Sequence, residues 1–112
     1  MWLSKQVISG DNEKSVCEIG KITESSSSHG VCVQGKREYR NIRNIFPFGI
    51  VSVPIVGEKV VITPTEFGYL NSGIITNNKN LSPGEIMLYS AGGASIVLKN
   101  NGKVFINGNE IN

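Results

Sequence analysis

The stretch Gly84-Glu85-Ile86-Met87-Leu88-Tyr89-Ser90-Ala91-Gly92-Gly93-Ala94-Ser95-Ile96-Val97-Leu98-Lys99-Asn100-Asn101-Gly102-Lys103-Val104-Phe105-Ile106-Asn107-Gly108-Asn109-Glu110-Ile111-Asn112 decides how the rest of the chain is read. Its even positions Ile86, Leu88, Ile96, Leu98, Val104 and Ile106 are all aliphatic and fall in three pairs, separated by Ser-Ala-Gly-Gly and Asn-Asn-Gly. Alternation at period 2 between glycine turn signals predicts three short strands. The odd positions Met87, Tyr89, Val97, Lys99, Lys103, Phe105 and Asn107 form a mixed face that tolerates water. Gly84, Gly92, Gly93, Gly102 and Gly108 are expected to supply the tight turns.

A ribbon this short, without a helix, cannot enclose a core of its own. Either it packs on the preceding domain, or copies from sister chains close around a common axis and bury their even faces together. The second arrangement also pairs the edge strands, which a lone ribbon would leave open to aggregation. The expected self-association face is Ile86, Leu88, Ile96, Leu98, Val104, Ile106 and Ile111.

Working outward, 112 residues make one ordinary domain, or a small domain with an appendage. Thirteen glycines and the absence of a sustained helical period give an all-β expectation. Eleven basic and nine acidic residues leave a net charge of +2, too near neutral to imply a polyanionic partner. Met1 to Gln6 lacks the apolar run of a signal peptide, so the expectation is a protein made in the cytosol. Cys17 and Cys32 read as free thiols: on the arms of a hairpin around Ser25 to Gly30, Cys32 falls opposite about position 21, leaving Cys17 out of disulfide range.

Residues 1–14 give no clear element. Ser15 to Thr23 and Gly30 to Gln34 read as strands joined by a serine-rich loop, with His29 solvated. Lys36 to Asn44 is a cationic cluster around Tyr39, read as a charged strand or turn. The competing reading is an oligonucleotide platform, with Tyr39 stacking on a base. Ile45 to Pro54 reads as an extended segment with turns. Ile55 to Pro64 holds a strand, Thr65 to Asn71 a loop, and Ser72 to Thr76 a further strand. Four or five short strands suit a small closed barrel. Asn77 to Pro83 is a polar connector, dividing residues 1–80 from 81–112.

No serine, histidine and acid arrangement, metal-ligand spacing or phosphate loop is present, so neither catalytic residues, a metal nor a cofactor is expected.

The succession Phe46-Pro47-Phe48-Gly49-Ile50-Val51-Ser52-Val53-Pro54, Gly57-Glu58-Lys59-Val60-Val61-Ile62, Gly73-Ile74-Ile75 and Gly84 to Ser90 resembles the baseplate assembly protein V family, above all its Mu-like branch. These are the central spikes of contractile phage tails and related injection particles. The resemblance implies an oligosaccharide/oligonucleotide-binding (OB) type barrel followed by a short intertwined trimeric β-helix. It implies a homotrimer that meets tail-tube or baseplate hub proteins, is assembled in the bacterial cytoplasm, and punctures a cell envelope on sheath contraction. Longer members carry a His-x-His iron tip. Here the single histidine is at 29, so no tip metal is carried over, and a separate small tip protein is the expected cap.

Overall fold

The computed structural model describes residues 16–76 and 80–111, so the readings of 1–14, of Ser15, of Asn77 to Lys79 and of Asn112 lie outside the described residues. All the regular structure described is β, in two compact units, Met1–Thr76 and Asn77–Asn112. The division falls four residues ahead of the expected one.

Unit 1 is a closed five-stranded barrel. Its strands are β1 (Glu18–Ser26), β2 (Gly30–Gln34), β3 (Glu38–Asn44), β4 (Lys59–Thr65) and β5 (Gly68–Ile74), hydrogen-bonded in the order β1-β2-β3-β5-β4 and back to β1. This order is compatible with an OB-type barrel. Closure depends on β1, whose first half pairs with β4 from Glu18↔Ile62 to Lys21↔Lys59 and whose second half pairs with β2 as far as Ser26↔Gly30. The register shift between Ile22 and Glu24 lets one strand serve both neighbours. Gly20 lies in the β4-paired half because a Cβ there would come within 2.5 Å of Val33 Cγ1.

The core is Ile22, Val31, Val33, Tyr39, Ile42, Val60 and Ile62, all buried, with Tyr69 packed against it. Burying each aliphatic side chain contributes about 1.5–3 kcal/mol before the entropy of ordering the chain. β3 and β5 meet in parallel, Arg43 beside Leu70 and Asn44 beside Asn71.

The structure changes three expectations here. The loop expected at 65–71 is a two-residue turn, Glu66-Phe67, tightened by the Thr65 hydroxyl, which donates to Gly68 O at 2.7 Å and accepts from Phe67 N at 3.1 Å. Pro64 therefore does not end β4; it lies beyond the stretch paired with β1, where its missing N–H costs no ladder bond to that strand. Cys32 stands opposite Glu24 rather than near 21, because the β1–β2 turn is shorter than a six-residue loop. Ser26 Oγ accepts from the N–H groups of Ser28 (3.1 Å) and His29 (3.3 Å) and closes it. Both thiols are free, Cys17 exposed and Cys32 buried.

Unit 2 is a four-stranded antiparallel sheet in sequence order: β6 (Ile86–Tyr89), β7 (Ser95–Leu98), β8 (Val104–Ile106) and β9 (Asn109–Ile111). Aliphatic alternation predicts three strands here, and the structure has four. The fourth follows from Asn107 and Gly108, at φ 52° and 85°, which make the left-handed two-residue turn that an Asn-Gly pair favours in hairpins.

Candidate functional site

Register gathers the expected face of unit 2. Ile86 stands opposite Leu98, Leu98 opposite Val104, and Val104 opposite Ile111. In the neighbouring row Leu88 stands opposite Ile96 and Ile96 opposite Ile106. Positions opposite each other in a ladder share a face, as do positions two apart, so all seven residues lie on one side of the sheet. Six of them are exposed, from 41% for Ile96 and Ile106 to 55% for Ile86. β6 and β9 are open edges of this sheet. The aliphatic face thus lies between two unpaired edges of the sheet.

The opposite face is less water-tolerant than the sequence suggested. Met87, Val97 and Phe105 align in one cross-strand row, all half-buried, with Glu110 at its end. Lys99, Lys103 and Asn107, which made this face look polar, lie outside the strands.

The turns are tied by one carboxylate. Glu85, its side chain 7% exposed, accepts from Ser82 N at 3.0 Å and from Asn100 N at 3.1 Å, and meets Lys99 Nζ at 3.4 Å. The Ser82 and Asn100 amides, ahead of Lys99, hold its pKa below the usual carboxylate value. Asn100 Nδ2 donates to Pro83 O at 2.9 Å, so the entry to β6 is fastened to the β7–β8 turn. Gly84 sits at φ 98°, where a Cβ would meet Asn100 Oδ1 at 2.8 Å. Gly93, Gly102 and Gly108 also have positive φ; Gly92 does not, so its turn places no such demand on it. At the other end of the sheet Ser95 N donates to Asn107 Oδ1 at 3.0 Å and Asn107 N to Ser95 O at 2.9 Å.

In unit 1, Tyr39 is a core residue rather than an exposed platform. Its hydroxyl donates to Glu18 Oε1, and Glu18 Oε2 accepts from Lys36 N. The Arg37 guanidinium lies 4.8 Å from the Tyr39 ring centre and 4.9 Å from that of Tyr69. The two rings meet edge to face at 4.8 Å. The Tyr39 hydroxyl bond, the largest influence on Glu18, lowers the pKa of that carboxyl; burial, then the same bond, raises that of Tyr39. The aromatic on which the oligonucleotide reading relied is thus 7% exposed and already carries a cation. Among the described residues no group of three or more His, Cys, Asp or Glu side chains is placed to hold a metal ion. His29 is exposed, its Nδ1 2.9 Å from Ser28 Oγ.

No family model matches the chain, and no curated protein does.

Proposed function

We propose that this protein is the central spike of a contractile injection apparatus, a phage tail or a phage-tail-like bacteriocin. In this reading it is a homotrimer: an OB-type barrel docks on tail-tube or baseplate hub proteins, and three copies of unit 2 intertwine as a short β-helix. Sheath contraction drives it through the target envelope. The work is mechanical, so the reading needs no catalytic residue, cofactor or nucleic acid, and a separate small tip protein completes the point.

The observation that carries this reading is the seven-residue aliphatic face of unit 2 lying between two open edge strands. Sister copies satisfy both needs at once, because their faces exclude water together while the edges of neighbouring chains pair. The resemblance supplies the threefold count and the biological setting. Winding the chains together also suits axial load, since no single chain can then peel away from its partners.

Sedimentation equilibrium of the full chain tests the reading. The expected mass is three chains, and Leu98→Asp, which sets three carboxylates around the axis, is expected to abolish the trimer. A monomer at micromolar concentration, or a stable trimer carrying Leu98→Asp, would overturn it.

A further inference from the structure

Unit 1 carries a cleft of about 640 Å³ that the spike reading does not use. One wall is the β1–β2 turn, Ser26 to Ser28; the other is the β3–β4 connector from Phe46 to Val53; the end of β3 contributes Arg43 and Asn44. Its size falls within the roughly 300–1,000 Å³ typical of ligand sites. The walls are preformed. Ser25 Oγ donates to Pro54 O, Ile45 N to Asn71 O at 2.9 Å, and Ile50 N to Pro47 O at 3.1 Å.

Three properties of the lining define what fits. Arg43 is the one charged residue in it, is exposed, and makes no ion pair among the described residues. Beside it Asn44 Oδ1 already accepts from Asn71 Nδ2 at 2.8 Å, which leaves the Asn44 amide group to donate. The polar part of the cleft therefore presents donors to an anion. Next, Phe48, Ile50 and Val51 are 106%, 47% and 87% exposed, a wall suited to aliphatic side chains. Finally, the main chain of Val51, Ser52 and Val53 makes no hydrogen bond among the described residues. Two of these three are β-branched, and Pro54 restricts Val53 to extended conformations, so the run offers an unpaired strand.

We infer that this cleft docks an extended segment of a partner protein bearing an Asp or Glu flanked by aliphatic residues. The carboxylate pairs with Arg43, the main chain adds to Val51–Val53 as a strand, and the aliphatic side chains cover Phe48 and Ile50. A peptide uses all three properties. An anionic lipid surface would leave the free main chain unused, and such surfaces are recognised by clusters of four or more cations rather than by one. The inference stands on unit 1 alone and does not depend on how unit 2 associates.

The test is selection of a random peptide library displayed on phage against the immobilised full chain, followed by fluorescence anisotropy with the enriched peptides synthesised. Enrichment of an acidic residue next to aliphatic ones is expected. Affinity should fall about tenfold or more in Arg43→Glu and stay unchanged in Arg40→Glu, whose arginine already pairs with Glu38 at 3.1 Å. Selection on Arg43→Glu should in turn enrich basic peptides. No enrichment, a consensus without an acid, or affinity indifferent to Arg43→Glu overturns the proposal. So does Arg43-dependent binding to phosphatidylcholine vesicles containing phosphatidylglycerol, which would make the cleft a lipid site. A lower sedimentation mass in Phe48→Ser also overturns it, since the cleft would then be filled by a second copy of this chain.

Discussion

Asn71 on β5 donates its side-chain amide to Asn44 Oδ1 on β3 at 2.8 Å, across the parallel seam that helps to close the barrel. Asn71 is 2% exposed, and its own Oδ1 accepts from Gly73 N at 3.0 Å. Asn71→Ala removes both bonds and leaves Gly73 N–H without that acceptor. A loss of about 1–3 kcal/mol is expected. Urea unfolding followed by far-ultraviolet circular dichroism measures it, and an unchanged midpoint would mean that the seam is held by its main chain alone.

The facing pair Ile86 and Leu98 yields a second expectation, in the trimer proposed above. Truncating either to Ala should cost about 2–5 kcal/mol per chain, felt as dissociation. Sedimentation equilibrium of each variant should show dissociation at concentrations where the parent chain stays associated. An unchanged mass across the same concentration range would place these side chains away from the contact.

Glu85 gives unit 2 an acid-sensitive fastening. Its pKa is lowered in the folded state from 4.5, chiefly by the Ser82 and Asn100 amides, so its contribution is fully present above pH 4.5 and is lost as pH falls through the folded value. Glu85→Gln should lower the thermal midpoint at pH 7 and make it less dependent on pH below 4.5. A parent chain equally stable at pH 7 and pH 3 would contradict this.

Tyr39→Phe keeps the ring in the core and deletes its bond to Glu18. Hydrogen bonds to charged groups contribute about 1.5–3 kcal/mol, so a loss in that range is expected at neutral pH. The folded pKa of Glu18 is lowered from 4.5 and that of Tyr39 raised from 10.0. The difference between variant and parent should therefore shrink as pH falls below 4.5. Stability curves taken at pH 3 and pH 7 check the sign.

Gly30→Ala and Gly108→Ala separate two reasons for glycine. Both sites have positive φ, 80° and 85°. At Gly30 a Cβ would also lie 2.2 Å from Ile42 O, a backbone atom, whereas at Gly108 nothing lies within 4 Å. Gly108→Ala should cost about 1 kcal/mol and Gly30→Ala more than about 2 kcal/mol. Similar thermal shifts in the two variants would remove the packing argument.

Legibility from sequence follows how local each signal is. The pairs 86/88, 96/98 and 104/106 stood out because a strand repeats every second residue and glycine turns bounded each run. β9 lacks a period-2 signal because Asn109-Glu110-Ile111 has one aliphatic residue, although Asn107-Gly108 is a strong hairpin signal. β5 reads partly as loop, as far as Asn71, because Gly68 opens it and Asn71 is polar in mid-strand. Asn71 is there for the seam, and a tertiary hydrogen bond leaves no mark on local propensity.

Tyr39 reads from sequence as a surface aromatic because β3 breaks its own alternation. Its buried residues are Tyr39 and Ile42, three apart, with Asn41 at φ 53° and a register shift opposite, between Val31 and Val33. The cleft was invisible for a different reason. Its walls come from residues 26–28 and 46–53, which only the folded β2–β3 hairpin brings together.

Because the ribbon of unit 2 has an even number of strands, Ile111 finishes level with Ile86, in the row that also holds Leu98 and Val104. The opposite extremity consists of two closed bends, at 90–94 and 107–108. A dye attached near residue 111 would report on the root of the ribbon, and whatever presses on its far extremity presses on knotted-off loops.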